Sequence, residues 1–461
     1  MAVRTKRNFT EGSIFMPMLS FVLPIMLTNI LQTMYNIADN VIVGKFSGDT
    51  LALAAVGSSG ALSALFLNFV VGLSGGASVV ISHAYGAGDE NRVSKSVHTA
   101  LTFGLLLGVG IGAFAVTFTE DLLILTNVKP ELLSRATVYL RIIFAALPAT
   151  AVYNFAAASL RAVGDSRTSL YILTLSGLLN VALNLVFVLA FDMAVEGVAL
   201  ATAVSKYASA AAVVIVLLKR RGQCYTLYLR KLGISKPILI RMLRFGLPNG
   251  IQNSMFSISN VLLTSAINSL ETHVLSARTI AMNLTNVVNN ISSSYMNAML
   301  TFAGQNYGAK RTDRIKRSIA VGLVQSFFLT LALGMLCFAF VEPISDLYIA
   351  SADPAREAII ESAISVCVVT LPFYCVCSVM NALSGTLRGL GRSLSPMLMS
   401  VFGICVFRSV WIFTAFKIPR FHSAQGLYLS YPVSWLLVII GLTVTLMIAW
   451  PKIKREAASN E

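Results

Sequence analysis

The chain has 461 residues, 56% of them apolar and 12% charged, and a mean hydropathy of +0.76. Soluble globular proteins carry roughly 25% charged residues, so this composition excludes a soluble fold and points to a membrane protein. A net charge of +15 would suit nucleic acid, but the cations sit in short breaks between apolar stretches, which excludes that partner as well.

The first residues, MAVRTKRNFTEGS, are basic, and the apolar run behind them is too long for the core of a secretory signal. Apolar stretches of at least about 18 residues then recur about twelve times. They are centred near residues 30, 65, 106, 147, 180, 206, 255, 287, 328, 371, 404 and 438. Each break between them is short, which leaves no room for a soluble module. The expected fold is all-α and polytopic, with twelve transmembrane helices.

If the breaks alternate sides, most of the 35 Lys and Arg collect on one of them. That side holds Arg4, Lys6, Arg7, Arg92, Lys95, Arg161, Arg167, the run from Lys219 to Arg244, Lys310 to Arg317, Arg388, Arg392 and the C-terminal tail. The other side has Lys45, Lys129, Arg356, Lys417 and Arg420. Positive residues mark the cytoplasmic side, so both termini are expected inside a cell membrane and the helix count is even. Acids favour the opposite side: Glu120, Asp121, Glu131, Asp192, Glu196, Glu271, Asp346 and Asp353. Lys417 and Arg420 are the exception. The basic excess therefore reads as topology plus attraction to anionic lipid headgroups.

Asp39 stands apart from the other acids. It lies within the apolar run from about Met16 to Val43, whereas the remaining 19 of the 20 Asp and Glu fall in polar breaks or near chain ends. An ionisable group inside hydrocarbon is costly and by default marks an ion or substrate pathway. Lys206 and Arg278 are also buried in apolar runs, with Arg141 and Arg408 nearer helix ends. Lys206 is about ten residues from either end of its run, too far to reach the interface. It reads either as a partner for Asp39 or a carbonyl, or as a cationic cavity wall. The six cysteines read as small buried side chains, since Cys375 and Cys377 would point to different helix faces. The four histidines (83, 98, 273 and 422) have no metal-ligand spacing and suit surface or helix-end positions. With no paired carboxylates, no Ser/His arrangement and no metal ligands at membrane depth, the expectation is no enzyme, no resident metal and no cofactor.

Three motifs occur twice. Phe21-x-Leu23-Pro24 with Asn29 returns 224 residues later as Phe245-x-Leu247-Pro248 with Asn253. Tyr85-Gly86-Ala87 with Arg92 and Ser96 returns 222 later as Tyr307-Gly308-Ala309 with Arg314 and Ser318. Leu160-Arg161-x-x-Gly164-x-Ser166 returns 227 later as Leu387-Arg388-x-x-Gly391-x-Ser393. Two six-helix bundles related by a pseudo-two-fold axis along the membrane normal follow, because a repeat of six helices begins and ends on one side. The expected division is an N-terminal lobe over residues 1–221, a cytoplasmic linker over 222–237, and a C-terminal lobe with a short tail over 238–461. In the repeated turns, glycine is expected to make the tight turn and arginine to stay near the headgroups.

These motifs, together with LPIMLTNILQTMYNIADNVIVGKF and LNVALNLVFVLAFDMAVEGVALATAVS, resemble the multidrug and toxic compound extrusion (MATE) transporters, in particular their DinF-like bacterial branch. The resemblance runs from about Phe15 to Trp450. It implies two lobes and export of small organic cations in exchange for H⁺ or Na⁺. It also implies a cation-coupling site of Asp39, Asn180, Asn184 and Thr202. At 1.5 Å per residue, Asp39, Asn184 and Thr202 lie about 8, 12 and 9 Å below their outer helix ends, and Asn180 and Asn184 share a helix face.

The family often has a second carboxylate where this chain has Asn184, and Asp39 plus 224 is Leu263, so coupling is expected in the N-terminal lobe alone. Burial favours the neutral form of a carboxyl group, so a lone aspartate among amides is expected to couple to H⁺ rather than Na⁺. Gln32, Tyr35, Asn36, Lys206, Asn260 and Arg278 are expected to line the substrate cavity. A monomer is expected. The alternative is a flippase for an anionic lipid-linked saccharide of the same superfamily, which would use Lys206 and Arg278 to hold its substrate.

Overall fold

The computed structural model describes residues 9–46, 51–267, 272–348 and 355–458. Arg4, Lys6, Arg7, Glu271 and Asp353 lie outside the described residues, as do the side chains of Lys45 and His273. Among the described residues there are helices and turns but no strand. The first half of the chain contributes α1 (Phe15–Phe46), α2 (Ala52–Gly86), α3 (Glu90–Thr117), α4 (Thr119–Leu125), α5 (Pro130–Ala145), α6 (Leu147–Ala162), α7 (Arg167–Leu185) and α8 (Val195–Lys219). The second half contributes α9 (Lys236–Ile267), α10 (Thr272–Gly308), α11 (Thr312–Ala339), α12 (Val341–Tyr348), α13 (Arg356–Thr370), α14 (Tyr374–Gly389), α15 (Leu394–Ser400), α16 (Phe407–Phe413), α17 (Ala424–Tyr428) and α18 (Ser430–Ala458). Short π-helical segments, Val186–Ala190 and Val401–Val406, extend α7 and join α15 to α16.

Among the described residues, eight spans are long and apolar enough to cross a bilayer. Two further spans are bent pairs, α5 with α6 and α13 with α14, each turning through 43°. Pro148 near the start of α6, and Pro372 between α13 and α14, remove backbone donors next to these bends. Helices α9 and α10 are as long but more polar, with Asn249, Asn253 and Asn260 on the first and Asn283, Asn286, Asn289 and Asn290 on the second. All twelve apolar stretches of the sequence are thus helical, and the chain is an all-α polytopic membrane protein. With no water in the bilayer core, only helices or closed barrels satisfy every backbone group internally.

By packing, the described chain forms two compact units. One holds Leu27–Ser254; the other holds Phe9–Met26 and Met255–Glu461. The divide falls inside α1 and α9, not at a chain break. In the first unit the core joins Leu73, Val80 and Ile81 of α2, Val97 and Leu101 of α3, Phe155 and Leu160 of α6, Val213 and Leu217 of α8, and Met242 of α9. In the second, Phe9 stacks on Phe302 at 4.0 Å, and Met18 and Phe21 pack with Tyr295 and Met299.

Glycine pairs let helices approach closely. A Cβ on Gly76 would lie 2.1 Å from the Met242 carbonyl oxygen, and one on Gly72 would lie 2.6 Å from Gly250 Cα, so α2 and α9 meet backbone to backbone. In the second unit, Gly385 and Gly389 of α14 meet the Met296 and Leu300 carbonyls of α10 in the same way, at 2.2 and 2.5 Å. Small residues four apart make such contacts in lipid, where no hydrophobic effect drives helices together.

Three expectations are corrected. In the Tyr-Gly-Ala motifs, Gly86 and Gly308 end helices, and the left-handed residues come two positions later, at Gly88 (φ 72°) and Lys310 (φ 59°). In the other motif Gly164 and Gly391 do make the turn (φ 88° and 74°), but Arg388 is 4% exposed, with Nη1 3.2 Å from the Met296 sulfur. Close packing of α14 on α10 covers it. His98 is also buried: Nδ1 lies 2.7 Å from Ser94 O, and Nε2 accepts the Tyr228 N–H at 3.0 Å. Together with Ser235 N donating to Thr99 Oγ1 at 3.2 Å, it ties the basic stretch after α8 to α3. Cys367, Cys375, Cys377 and Cys405 are buried as expected, while Cys224 and Cys337 are half-buried.

Candidate functional site

The site assembles in the first unit from α1, α7 and α8. Asp39 sits seven residues before the end of α1, Asn180 and Asn184 one turn apart near the end of α7, and Thr202 two turns into α8. Asn184 Nδ2 donates to Asp39 Oδ1 at 2.5 Å, and Thr202 Oγ1 donates to Asp39 Oδ2 at 3.5 Å. Asn180 links the two donors: its Nδ2 donates to Thr202 Oγ1 at 3.4 Å, and its Oδ1 accepts from Asn184 Nδ2 at 3.5 Å. Asn184 is fully buried and Asn180 is 5% exposed, whereas Asp39 is half-buried. All four residues that the resemblance implied are therefore in one network.

The carboxylate opens on a cavity of about 60 Å³. Gln32, Tyr35, Asn36, Asp39, Asn180, Thr202 and Lys206 line it, which brings together most of the site residues expected from sequence. Lys206 meets Asp39 through charge across this space, with no contact ion pair between them among the described residues. A buried water needs roughly 10–15 Å³ of such volume, so the cavity has room for an ion and a few waters. Drug-sized ligands occupy pockets of about 300–1,000 Å³, so it is too small for one.

Asn260 and Arg278 belong to the second unit. Asn260 is exposed, and Arg278 Nη2 donates to Thr264 Oγ1 at 2.7 Å. Neither lines the Asp39 cavity. Conversely, sequence reasoning missed Tyr153, Ser176, Gly177, Ser205 and Ser209, which do. A signal for some of them was present: Thr202, Ser205, Lys206 and Ser209 form a polar stripe at helical spacing on α8, and Ser176 continues the Asn180–Asn184 row. Tyr153 and Gly177 had no such signal.

Gly177 is the close-approach point of the site. A Cβ there would fall 1.8 Å from Tyr35 Cε2, and Tyr35 Oη donates to Thr174 O at 3.2 Å. Gly177→Ala is therefore expected to push the Tyr35 ring out of the cavity wall, with the protein still folding. Transport should fall severalfold while yield and melting temperature stay near wild type; unchanged transport would show that the ring's placement is dispensable.

In chemical terms, an ionised Asp39 accepts from both neighbours. If Oδ2 takes a proton it must donate instead, and only Thr202 can reverse its role, because an amide nitrogen cannot accept. Protonation thus rewires the α1–α8 link and leaves the α1–α7 link alone. For a metal cation, Asn184 Oδ1 is a second feature of note: it is buried and has no hydrogen-bond partner, and it lies on the side chain that already holds Asp39.

Comparison with known proteins identifies the fold and the family. The chain is 29% identical over 451 residues to the probable multidrug resistance protein YoeA of Bacillus subtilis, covering 96% of each. It is 26% identical over 401 residues to the probable multidrug resistance protein NorM of Thermotoga maritima, covering 86% of this chain and 82% of that one. Among solved structures, the crystal structure of MATE in complex with MaL6 superposes with a TM-score of 0.89 at 21% identity, covering 98% of this chain and all of the other, which shows a shared fold. The MatE family model matches residues 24–186 and 248–414, one match in each half of the sequence repeat and more than half of the chain in total, so this chain belongs to the MatE family.

Proposed function

We propose that this protein is a transporter, not an enzyme, that exports small organic cations from the cell by alternating access in exchange for protons. Both termini would be cytoplasmic and the membrane the cell membrane, as the distribution of Lys and Arg suggests. The observation that carries the reading is the lone Asp39 carboxylate, held by neutral donors from two other helices at the edge of a small cavity. A charge change there alters the bonding between α1 and α8, which is how a coupling ion can bias a moving bundle. The relatives' names support drugs as the exported class. The test is reconstitution in vesicles with an imposed pH gradient or an imposed Na⁺ gradient, following a cationic dye such as ethidium. Dye movement driven by the pH gradient alone is expected; movement driven only by Na⁺ would overturn proton coupling.

Sodium coupling is the second reading, because of the unpartnered Asn184 Oδ1 beside the carboxylate. Na⁺ is a hard cation that favours oxygen ligands and gains from each added anionic one. Asn184→Asp is therefore expected to raise Na⁺ dependence of transport severalfold over wild type. Unchanged ion dependence in this variant would mean that position 184 does not serve the coupling ion. The flippase reading has its support in Lys206, which lines the Asp39 cavity; Arg278 does not line that cavity and donates to Thr264 Oγ1.

A further inference from the structure

The first unit holds a second and larger cavity, of about 470 Å³, at the other end of α7 and α8 from Asp39. Its wall combines the two repeated turn motifs of this half, with Tyr85 from one and Gly164 and Ser166 from the other, neither of which takes part in the coupling site. Four cations line it: Arg167, Lys219, Arg220 and Arg221. Asp165 is the only acid among the lining residues, and Arg220 neutralises it at 2.7 Å while also donating to Tyr225 Oη at 2.9 Å. Arg167, Lys219 and Arg221 are exposed at the rim and form no ion pair among the described residues. Ser166, 1% exposed in the same wall, has a hydroxyl with no hydrogen-bond partner.

The equivalent region of the second unit is built differently. There Tyr307, the repeat of Tyr85, donates to Glu456 Oε2 at 2.8 Å, so a carboxylate from the end of α18 already meets the motif tyrosine. Among the described residues, no acid from a terminal helix does this in the first unit, where the cavity keeps its surplus of positive charge.

We infer that this cavity binds a phosphate group, carried either by an anionic lipid headgroup or by a free phosphate compound. Three unpaired cations, two of them arginines that can grip phosphate oxygens with paired N–H groups, surround a space large enough for a headgroup, with a serine hydroxyl left over as donor. The bland alternative is that these residues only mark membrane sidedness. The two differ in whether position matters or merely charge.

The experiment compares two triple variants of the full-length protein. The rim set is Arg167→Gln, Lys219→Gln and Arg221→Gln. The control set, Arg230→Gln, Lys231→Gln and Lys236→Gln, removes the same charge from exposed residues of the adjoining stretch outside the cavity. Each protein is placed in phosphatidylcholine nanodiscs containing phosphatidylglycerol, and retained phosphatidylglycerol is counted by native mass spectrometry. Separately, inorganic phosphate is titrated calorimetrically into protein in neutral detergent.

Each cation near anionic headgroups is worth about a fivefold gain in binding, so the rim set should lose at least about tenfold in affinity and the control set much less. Rim-dependent retention of lipid without phosphate binding identifies a lipid headgroup as the source. Rim-dependent binding of inorganic phosphate without lipid selectivity identifies a free phosphate compound. Equal losses in the two sets, or no binding of either probe by wild type, overturns the proposal. Should the rim set prove unstable by melting temperature, the single variant Arg167→Gln against Arg230→Gln makes the same comparison.

Discussion

Replacing Asp39 with asparagine is expected to reduce gradient-driven export to the level of cells lacking the protein. The substitution keeps the size and planarity of the side chain, so α1 should still pack on α7 and α8. What it removes is the only titratable oxygen in the network of Asn180, Asn184 and Thr202. An amide cannot take up and release a proton in the working pH range, and it offers a metal cation no charge. Dye accumulation in cells without their own pumps reads the export, and yield together with a size-exclusion profile of the purified variant reads the fold. Full export by a well-folded D39N protein would falsify the coupling role. A variant that fails to fold would point instead to a structural carboxylate, and then Asp39→Glu, which keeps the charge, should fold and export.

Gly76→Val and Gly385→Val should have the largest effects on stability. The first places a side chain where the Met242 carbonyl oxygen would be 2.1 Å from its Cβ, and the second where the Met296 carbonyl oxygen would be at 2.2 Å. Neither neighbour is the end of a flexible side chain, so whole helices must separate: α2 from α9, and α14 from α10. Overpacking of a well-filled interior costs about 1–3 kcal/mol and occasionally more, and these sites fall at the upper end because backbone must move. Each variant is expected to lower the melting temperature and the folded yield clearly. Gly110→Ala is the internal control. It lies on α3 with open space where its Cβ would be, and there the change should be neutral or slightly stabilising. If Gly76→Val melts with wild type, the close approach of α2 and α9 is not a real constraint on this fold.

Much of the architecture was legible in the chain because a bilayer leaves few choices. Runs of apolar residues long enough to span it must be helical, so twelve such runs specify twelve helical elements, and the doubled motifs mark a repeat. Asp39 stood out for the same reason, since a carboxylate inside an apolar run is costly in lipid and marks either an ion pathway or a carboxylate that locks helices together. The grouping of Asn180, Asn184 and Thr202 with it came from the family resemblance, supported by helical spacing and depth.

What spacing along a helix cannot say is which neighbour a face meets. That decided the remaining features. Lys206 and Arg278 looked alike in sequence, yet one lines the Asp39 cavity and the other bonds Thr264 in a separate unit. His98 resembled a surface residue because its partners, Ser94 O and Tyr228 N, are backbone atoms that leave no trace in side-chain pattern. Arg388 followed an interfacial motif but is covered by α10, and Gly177 carried no signal until the Tyr35 ring was found against it. Sequence determined the helices, their repeat and the one costly charge, because each follows from the energy of a single segment in hydrocarbon. The cavity linings, the glycine contacts and the fate of the other buried cations were decided only in the tertiary structure, because each depends on a pair of surfaces far apart in the chain.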